Sequence, residues 1–144
     1  MIAVDTNVLL HAHRRELPRH AESLAALRRL AEGAVPWALP VFCLAEFVRI
    51  ATHPRVFRPP STHRQAFAAL NTLQESPSCR LLLPDRCFRE IFERLCHEHD
   101  LRGNRVFDAQ IAAVCLEHGA NEILTFDRDF ARIREIKIVA TDKR

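Results

Sequence analysis

The sequence predicts an α/β domain in which helices cover both faces of a five-stranded parallel sheet. Short apolar runs rich in β-branched residues, typical of buried strands, recur along the 144 residues. Helical apolar patterns separate these runs, and such alternation favours parallel strands joined by right-handed crossovers. No repeat, linker or low-complexity segment interrupts the pattern, so we expect residues 1–144 to form a single domain.

Prolines and glycines mark the boundaries of the elements in the first half of the chain. Gly33 is placed to end a helix in which Leu24, Leu27 and Leu30 follow helical spacing. Three prolines within residues 53–60 rule out regular structure in that segment. The predicted elements are strands at residues 2–4 and 37–39, and helices from residue 8, at residues 19–32 and at residues 41–52.

The second half of the chain continues the alternation of helices and strands. The predicted elements are helices that begin near residues 61 and 85, a helix at 106–118, a short helix at 127–134, and strands at 80–83, 122–125 and 136–139. Apolar residues at helical spacing predict which side chains face the core. These are Phe67, Leu70 and Leu73 in the first helix, Phe88, Ile91, Phe92 and Leu95 in the second, and Phe107, Ile111, Val114 and Cys115 in the third.

The composition indicates a globular domain and leaves the class of partner open. Hydrophobic residues make up 48% of the chain and charged residues 27%, which is enough to build a sizeable core and argues against disorder. The net charge of +3 is carried mostly by arginine. It permits an anionic partner such as a nucleic acid but does not require one.

Cysteine usage and the N-terminal residues predict a cytoplasmic protein. The five cysteines are an odd number without a C-x-x-C pair, and we expect small buried thiols in a reducing compartment. The N-terminal residues show no signal-peptide pattern. The longest apolar run, at residues 35–45, contains Pro36 and Pro40 and is too short to span a bilayer, so we expect no membrane association.

Several motifs that bind nucleotides or metals are missing. With Gly33, Gly103 and Gly119 as its three glycines, the chain has neither a P-loop nor a G-x-G-x-x-G cradle. The Cys and His residues within 96–100 are not followed by a second ligand pair at the spacing of a zinc site. Without tyrosine and with one tryptophan, an aromatic stacking platform like that of an RRM is not expected.

Two acidic residues in the first half of the chain occupy unusual positions. Asp5 directly follows the first strand, at the end of the sheet where open α/β folds bind ligands, although an aspartate there also caps a helix. Glu46 interrupts a helix that is otherwise nearly all apolar, and a buried carboxylate needs a cation or a proton. The structural alternative is an ion pair with Arg49, one turn later.

Three aspartates in the second half occupy comparable positions. Asp108 lies in the first turn of its helix, where the backbone N–H groups favour an ionised carboxylate. Asp127 follows the fourth strand as Asp5 follows the first, and an Asx-turn is the structural alternative. Asp129 is placed to point outward but could reach the same cleft.

Taken together, these acidic residues predict a metal site. Asp5 and Asp127 follow two strands that could be neighbours, while Glu46 and Asp108 lie on helices that could flank the crevice between them. Four carboxylates in one cleft repel each other strongly unless divalent cations lie between them. Hard oxygen ligands select Mg²⁺ or Mn²⁺ over zinc.

The order of these motifs resembles the PIN domain family, and most closely the ribonuclease toxins of bacterial VapBC toxin–antitoxin pairs. The resemblance rests on V-D-T-N-V-L-L near the N-terminus, Glu46, F-D-A-Q-I-A-A around Asp108 and T-F-D-R-D-F near the end, and it spans essentially the whole chain. It implies a three-layer α/β/α fold with strand order 3-2-1-4-5. It also implies an acidic site of Asp5, Glu46, Asp108 and Asp127, supported by Thr6, Asn7 and Thr125, with Asp129 able to replace or assist Asp127.

The activity implied by the resemblance is that of an Mg²⁺-dependent endoribonuclease, with Mn²⁺ as a substitute. Basic side chains near the cleft would hold the RNA backbone. The candidates are Arg14, Arg15, Arg49, Arg102 and Arg105. Two alternatives stay open: a receiver-like signalling domain with a single Mg²⁺, although the lysine it needs after a late strand is missing, and a non-catalytic PIN-like module that binds RNA or protein.

The resemblance also implies partners. The substrate would be a structured RNA such as a tRNA or a ribosomal RNA loop, and the protein would form a homodimer and bind a VapB-type antitoxin. A cation of the antitoxin would enter the acidic cleft while its apolar side chains dock in a groove between helices. The residues we expect to line this groove are Leu9, Leu10, His13 and residues 24–27.

Overall fold

Five parallel strands form the centre of the molecule in a computed structural model that describes residues 1–141. The strands are β1 (Ile2–Val4), β2 (Trp37–Pro40), β3 (Cys79–Leu82), β4 (Glu122–Leu124) and β5 (Lys137–Val139). Their order across the sheet is β3-β2-β1-β4-β5, and every neighbouring pair is parallel. The predicted parallel sheet and the order implied by the family resemblance are both confirmed.

Six α-helices and one 3₁₀ helix connect the strands. They are α1 (Thr6–His13), α2 (His20–Glu32), α3 (Val41–Ala51), α4 (His63–Gln74), α5 (Phe88–Glu98), α6 (Arg105–Glu117) and the 3₁₀ helix (Arg128–Arg132). Because crossovers between parallel strands are right-handed, the helices before β3 and those after it cover opposite faces of the sheet. This arrangement is the expected three-layer α/β/α fold.

Two helices differ from their predicted form at the ends of β1 and β4. Helix α1 begins at Thr6 rather than at Val8, because the Asp5 carboxylate accepts a hydrogen bond from the Thr6 N–H and caps the helix. The segment after β4 forms a five-residue 3₁₀ helix rather than a longer helix over 127–134, and the Asp127 carboxylate caps it. In both places an aspartate at a strand end sets the start of the next helix.

The core lies between the sheet and the helices on either side. The central strands β1 and β2 bury nearly all their side chains, as expected for a parallel sheet covered on both faces. Trp37 is fully buried, with an exposed fraction of 0%, and Phe47 and Ile123 are buried beside it in the same core cluster. Within residues 1–141, no helix has the length and apolar character needed to cross a bilayer.

Two phenylalanines that were predicted to face the core are instead exposed. Phe67 on α4 has an exposed fraction of 47% and Phe107 on α6 one of 57%. Helical spacing identifies a side of the helix but not how far the neighbouring elements extend along it. Phe107 lies in the first turn of α6, beyond the part of the helix that Ile111 and Val114 anchor in the core.

Candidate active site

Asp5 lies at the carboxyl end of β1 and is held by donors from four residues, one of them the Cys43 thiol, which donates to Oδ1 at 3.7 Å. The Thr6 N–H donates to its Oδ1 at 2.7 Å, while the Thr125 hydroxyl and the Asn7 amide donate to its Oδ2 at 2.6 and 3.0 Å. The side chain is buried, with an exposed fraction of 6% for the residue. The carboxylate is therefore fixed in one orientation at the point where β1 ends.

Asn7 and Thr125 join the ends of β1 and β4, which are neighbours in the sheet. The Asn7 amide also donates to the Thr125 hydroxyl at 3.1 Å, and its Oδ1 accepts from the Phe126 N–H at 3.2 Å. The Thr125 hydroxyl accepts from the Asp127 N–H at 3.0 Å. These bonds use the polar groups of both side chains and set the position of the segment that carries Asp127.

Asp108 reaches the same region from the first turn of α6. Burial, together with the charges of Asp127, Asp5 and Asp129, raises the pKa of Asp108 to about 6, and the nearby Arg105 opposes this rise. A carboxyl group with such a pKa lacks a neutralising partner of its own. Its environment favours protonation or the approach of a cation.

The pKa of Asp5 is also raised. Burial is the largest cause, hydrogen bonds from Thr125 and Thr6 lower the pKa, and the charges of Glu46 and Asp127 raise it again. The charges of Glu46 and Asp127 therefore raise the pKa of Asp5, while those of Asp5 and Asp127 raise the pKa of Asp108. The structure brings the four predicted acidic residues together in one acidic group around Asp5.

Glu46 and Asp108 face each other across a cavity of ≈ 700 Å³ that α3 and α6 line. Arg49 lines this cavity as well. Within residues 1–141 no carboxylate lies within ion-pair distance of Arg49, so the alternative in which Glu46 pairs with Arg49 is not realised. Glu46 instead contributes its charge to the acidic group.

The two aspartates after β4 differ in their surroundings. Asp127 is half-buried, and its Oδ1 accepts from the Asp129 N–H at 2.8 Å. Asp129 is exposed and lies 3.5 Å from Arg105, with which it forms an ion pair. Asp127 acts on the pKa of both Asp5 and Asp108, whereas Asp129 acts only on that of Asp108. Asp127 is thus the more central of the two.

The acidic group is open rather than closed around one point. Among residues 1–141, no three of its carboxylates bring oxygens within 4.8 Å of one another. A different cluster meets this distance, and it consists of Glu98, His99 and Glu135. Arg94 already forms ion pairs with two of its members, at 3.0 Å from Glu98 and 2.8 Å from Glu135. Widely spaced carboxylates suit a hydrated cation such as Mg²⁺, which binds through one or two carboxylates and keeps several of its water ligands.

The arginines predicted to contact RNA occupy different places. Arg49 and Arg105 lie at the acidic group, and Arg102 pairs with Asp100 in the loop before α6. Arg14 and Arg15 follow α1, an eight-residue helix that moves them roughly 12 Å from its start. There Arg14 bonds to Glu16, Ser61 and the Pro59 carbonyl.

Sequence reasoning missed a cavity of ≈ 350 Å³ that is lined by two arginines and by the acidic residues Glu22 and Asp127, with Glu22 3.5 Å from Arg19. Arg19 and Arg128 line it, and the Arg19 guanidinium stacks 4.4 Å from the centre of the Phe126 ring. Arg128 and Phe126 were visible in the T-F-D-R-D-F motif. Arg19 was not, because it comes from the connection between α1 and α2.

The comparisons with known proteins agree with this fold. The family model for the PIN domain matches residues 2–136. The chain therefore belongs to the PIN domain family.

Within the family its curated relatives are VapC ribonucleases. Ribonuclease VapC43 of Mycobacterium tuberculosis and VapC ribonuclease Mb2897 of Mycobacterium bovis are each 39% identical over 137 residues, covering 95% of this chain and 92% of the relative.

Solved structures of VapC-type proteins share the fold. VapBC2 from Rickettsia felis, solved bound to a DNA fragment from its promoter, aligns with a TM-score of 0.70 at 18% identity over 97% of this chain and 98% of that chain. Mycobacterium tuberculosis VapC20, described as a sarcin–ricin loop cleaving toxin, aligns with a TM-score of 0.67 at 22% identity. The alignment covers 91% of this chain and 93% of VapC20.

Proposed function

We propose that this protein is a metal-dependent endoribonuclease toxin of the VapC type. The observation that carries the proposal is the group of repelling carboxylates at the carboxyl ends of β1 and β4, centred on the buried Asp5. A chain keeps such a group at a cost in stability, and the cost is offset when a divalent cation binds. Membership of the PIN domain family and the VapC ribonucleases among its relatives support the same activity.

We propose Asp5 and Asp108 as direct ligands of Mg²⁺, for which Mn²⁺ would substitute. The raised pKa of both groups fits this role, because neither aspartate forms an ion pair among residues 1–141. Glu46 and Asp127 would complete the site directly or through water, with Asp129 assisting. Thr6, Asn7 and Thr125 are supporting residues that keep the Asp5 carboxylate oriented.

In this mechanism the chain orients a water molecule and holds the phosphate. Bound Mg²⁺ would supply Lewis-acid catalysis, which lowers the pKa of a coordinated water and stabilises charge on the phosphate. Glu46 and Asp127 accept hydrogen bonds from the attacking water and align it with the phosphorus. Water attacks the phosphorus in line, the P–O3′ bond breaks and the leaving 3′-oxygen takes up a proton, so the products carry a 5′-phosphate and a 3′-hydroxyl.

The RNA backbone would cross the acidic group between two sets of arginines. Arg49 and Arg105 lie on the side of α6, with Arg102 in the adjoining loop, while Arg19 and Arg128 line the cavity beyond Asp127. Arginine suits phosphate because its guanidinium donates two parallel hydrogen bonds. Arg14 and Arg15 would contact RNA farther from the acidic group, because Arg14 pairs with Glu16 and Arg15 lines a different groove.

That different groove is our proposed site for an antitoxin segment. It is a cavity of ≈ 640 Å³ lined largely by apolar side chains of α1, α2 and α4, among them Leu9, Leu24, Leu27, Leu70 and Leu73. An amphipathic segment of a VapB-type partner would dock there, and a basic residue on it would reach the carboxylates. His13 also lines the groove, whereas Leu10 does not. Leu9, Leu27 and Leu70 are buried core residues, so Leu24 and Leu73 are its more exposed leucines.

We further propose a homodimer and a structured RNA, such as a tRNA or a ribosomal RNA loop, as the target. The cleavage of a sarcin–ricin loop described for VapC20 supports a structured substrate. Incubating purified protein with total RNA in the presence and absence of Mg²⁺, and sequencing the new 5′-phosphate ends, tests both the activity and the target. Discrete ends that appear only with Mg²⁺ are the expected result.

A further inference from the structure

An exposed aromatic ring lies directly beside the acidic group. Phe107 precedes Asp108 on α6 and has an exposed fraction of 57%, whereas the Asp108 side chain is half-buried. One exposed apolar ring is common on a protein surface and by itself implies no ligand, so the location of Phe107 is what matters. Its position at the edge of the candidate active site indicates a ligand that covers it.

The cavity next to this ring combines the chemistry of a single nucleotide. Phe107 supplies an aromatic face, Arg49 a cation and Gln110 an amide, while Glu46 and Asp108 contribute the acidic side. A nucleotide offers one counterpart to each, because its base has a flat π-face and a polar edge and its phosphate is anionic. A metal at the carboxylates would bind the phosphate that is cut.

We infer that Phe107 is a positioning residue that stacks on a base of the RNA beside the scissile phosphate, with Gln110 bonding to the edge of that base. The inference deepens the proposed ribonuclease function and rests on it. Stacking on a single ring tolerates any base, so Phe107 sets where the strand lies and not which sequence is cut. The ring thereby holds the phosphate over the carboxylates.

Charge favours RNA over a protein surface as the occupant. Among residues 1–141, Arg49, Glu46 and Asp108 form no ion pair, although the charge of Arg105 lowers the pKa of Asp108. An apolar protein face laid on Phe107 would leave these charges buried and unpaired, which is costly. RNA brings phosphate to Arg49 and leaves the carboxylates accessible to metal.

The first test is kinetic. Phe107→Ala should raise KM for RNA roughly tenfold, a loss typical of one stacked base, with a smaller change in kcat. Phe107→Tyr should restore wild-type KM and Phe107→Leu should not, because stacking needs a ring and not merely an apolar side chain. The matched control is Phe67→Ala, which removes another exposed phenylalanine that does not line this cavity. An unchanged KM for Phe107→Ala, or full rescue by leucine, would overturn the inference.

The second test reads stacking directly, whether or not the RNA is cut. In Phe107→Trp the new indole is the accessible fluorophore, because the native Trp37 is fully buried and the chain has no tyrosine. Bulk RNA, at concentrations that wild-type protein cleaves, should quench this fluorescence but not that of Phe67→Trp. Equal quenching of both, or of neither, contradicts stacking.

Sedimentation of the Phe107→Ala protein excludes a different occupant. If this substitution converts a dimer to a monomer, the ring packs against a second copy of the chain and the inference is wrong. If RNA cleavage depends on Mg²⁺ but substitutions of Phe107 do not change it, the proposed function is supported and the inference about Phe107 is wrong. Absence of such cleavage would count against the proposed function, while fluorescence quenching still decides on Phe107.

Discussion

The Thr125 hydroxyl lies 2.6 Å from Oδ2 of Asp5, although the two residues are 120 positions apart in the sequence. This bond joins the ends of β1 and β4 and fixes the most buried carboxylate of the candidate active site. A threonine in this position orients Asp5 without neutralising it. The carboxylate therefore keeps its charge for a cation, and the bond provides a direct way to test the site.

Replacing Thr125 with valine removes the hydroxyl while preserving the shape of the side chain. The Asp5 carboxylate and the Asn7 amide each lose a partner in a buried environment, so we expect unfolding free energy to fall by about 1–3 kcal/mol. RNA cleavage should fall at least tenfold as Asp5 loses its orientation. Chemical denaturation and cleavage rates measure these effects.

The matched control is Thr72→Val on the exposed side of α4, where the hydroxyl bonds only to the Ala68 carbonyl. It should leave both quantities nearly unchanged. A Thr125→Val protein with wild-type activity would show that Asp5 needs no such support.

Asp5→Asn and Asp108→Asn should each reduce RNA cleavage by at least 100-fold while the fold stays intact. Each substitution removes a charge proposed to bind Mg²⁺ and preserves the size of the side chain. Calorimetric titration with Mg²⁺ should show weakened binding in both variants, and circular dichroism should match the wild type. Unchanged Mg²⁺ affinity in either variant means that its aspartate is not a ligand.

The raised pKa of Asp108 predicts how stability of the metal-free protein depends on pH. Its pKa is about 6 in the folded chain and 3.8 in an unfolded one, so the folded state binds more protons between these values. Ionisation of Asp108 therefore lowers the unfolding free energy progressively as pH rises from about 4 to 6. Above pH 6 the loss remains but does not grow. Asp108→Asn should raise Tm at pH 7.5 and have little effect at pH 4, both measured with EDTA.

Asp100→Asn is the control for this measurement. Asp100 is exposed, has a positive φ of 48° that asparagine tolerates well, and pairs with Arg102 on the surface. Its substitution should change Tm little at either pH. An Asp108→Asn protein less stable than wild type at pH 7.5 would mean that the carboxylate has a neutralising partner after all.

Leu24→Asp tests the apolar groove separately from the acidic group. Leu24 is half-buried in the groove wall, so a charge there should block docking of an apolar segment with little effect on the core. We expect loss of co-purification with the proposed VapB-type partner and retention of RNA cleavage. Replacing the basic residues of that partner with alanine should restore cleavage within a complex that still forms, and inhibition that persists would rule out the blocking cation.

The sequence predicted the strands and the acidic positions well because each leaves a local signal. An apolar run that stops at an aspartate, as at Asp5 and Asp127, marks both a strand and its carboxyl end. The bonds of Asn7 to Thr125 and Phe126 could not be predicted from residues alone, since they depend on β1 and β4 being neighbours. The strand order came from the family resemblance.

Residues at the rim of the site were harder to predict than those at its centre. Phe107 fits the apolar pattern of α6, and only its place in the first turn of that helix leaves it in solvent. Arg19 stacks on Phe126 through a contact between the α1–α2 connection and the segment after β4. The exposure of Phe107 and the contact of Arg19 with Phe126 cannot be predicted from the local sequence, because both depend on where distant elements end.

Metal-dependent hydrolysis at Asp5 is tested by incubating RNA with the purified protein, in Mg²⁺ and in EDTA, and mapping the product ends. We predict cleavage only with Mg²⁺, products with 5′-phosphate and 3′-hydroxyl ends, and no products from the Asp5→Asn variant. Cleavage that persists in EDTA, products with 2′,3′-cyclic phosphates, or wild-type rates from Asp5→Asn would contradict a metal-dependent hydrolysis at this site.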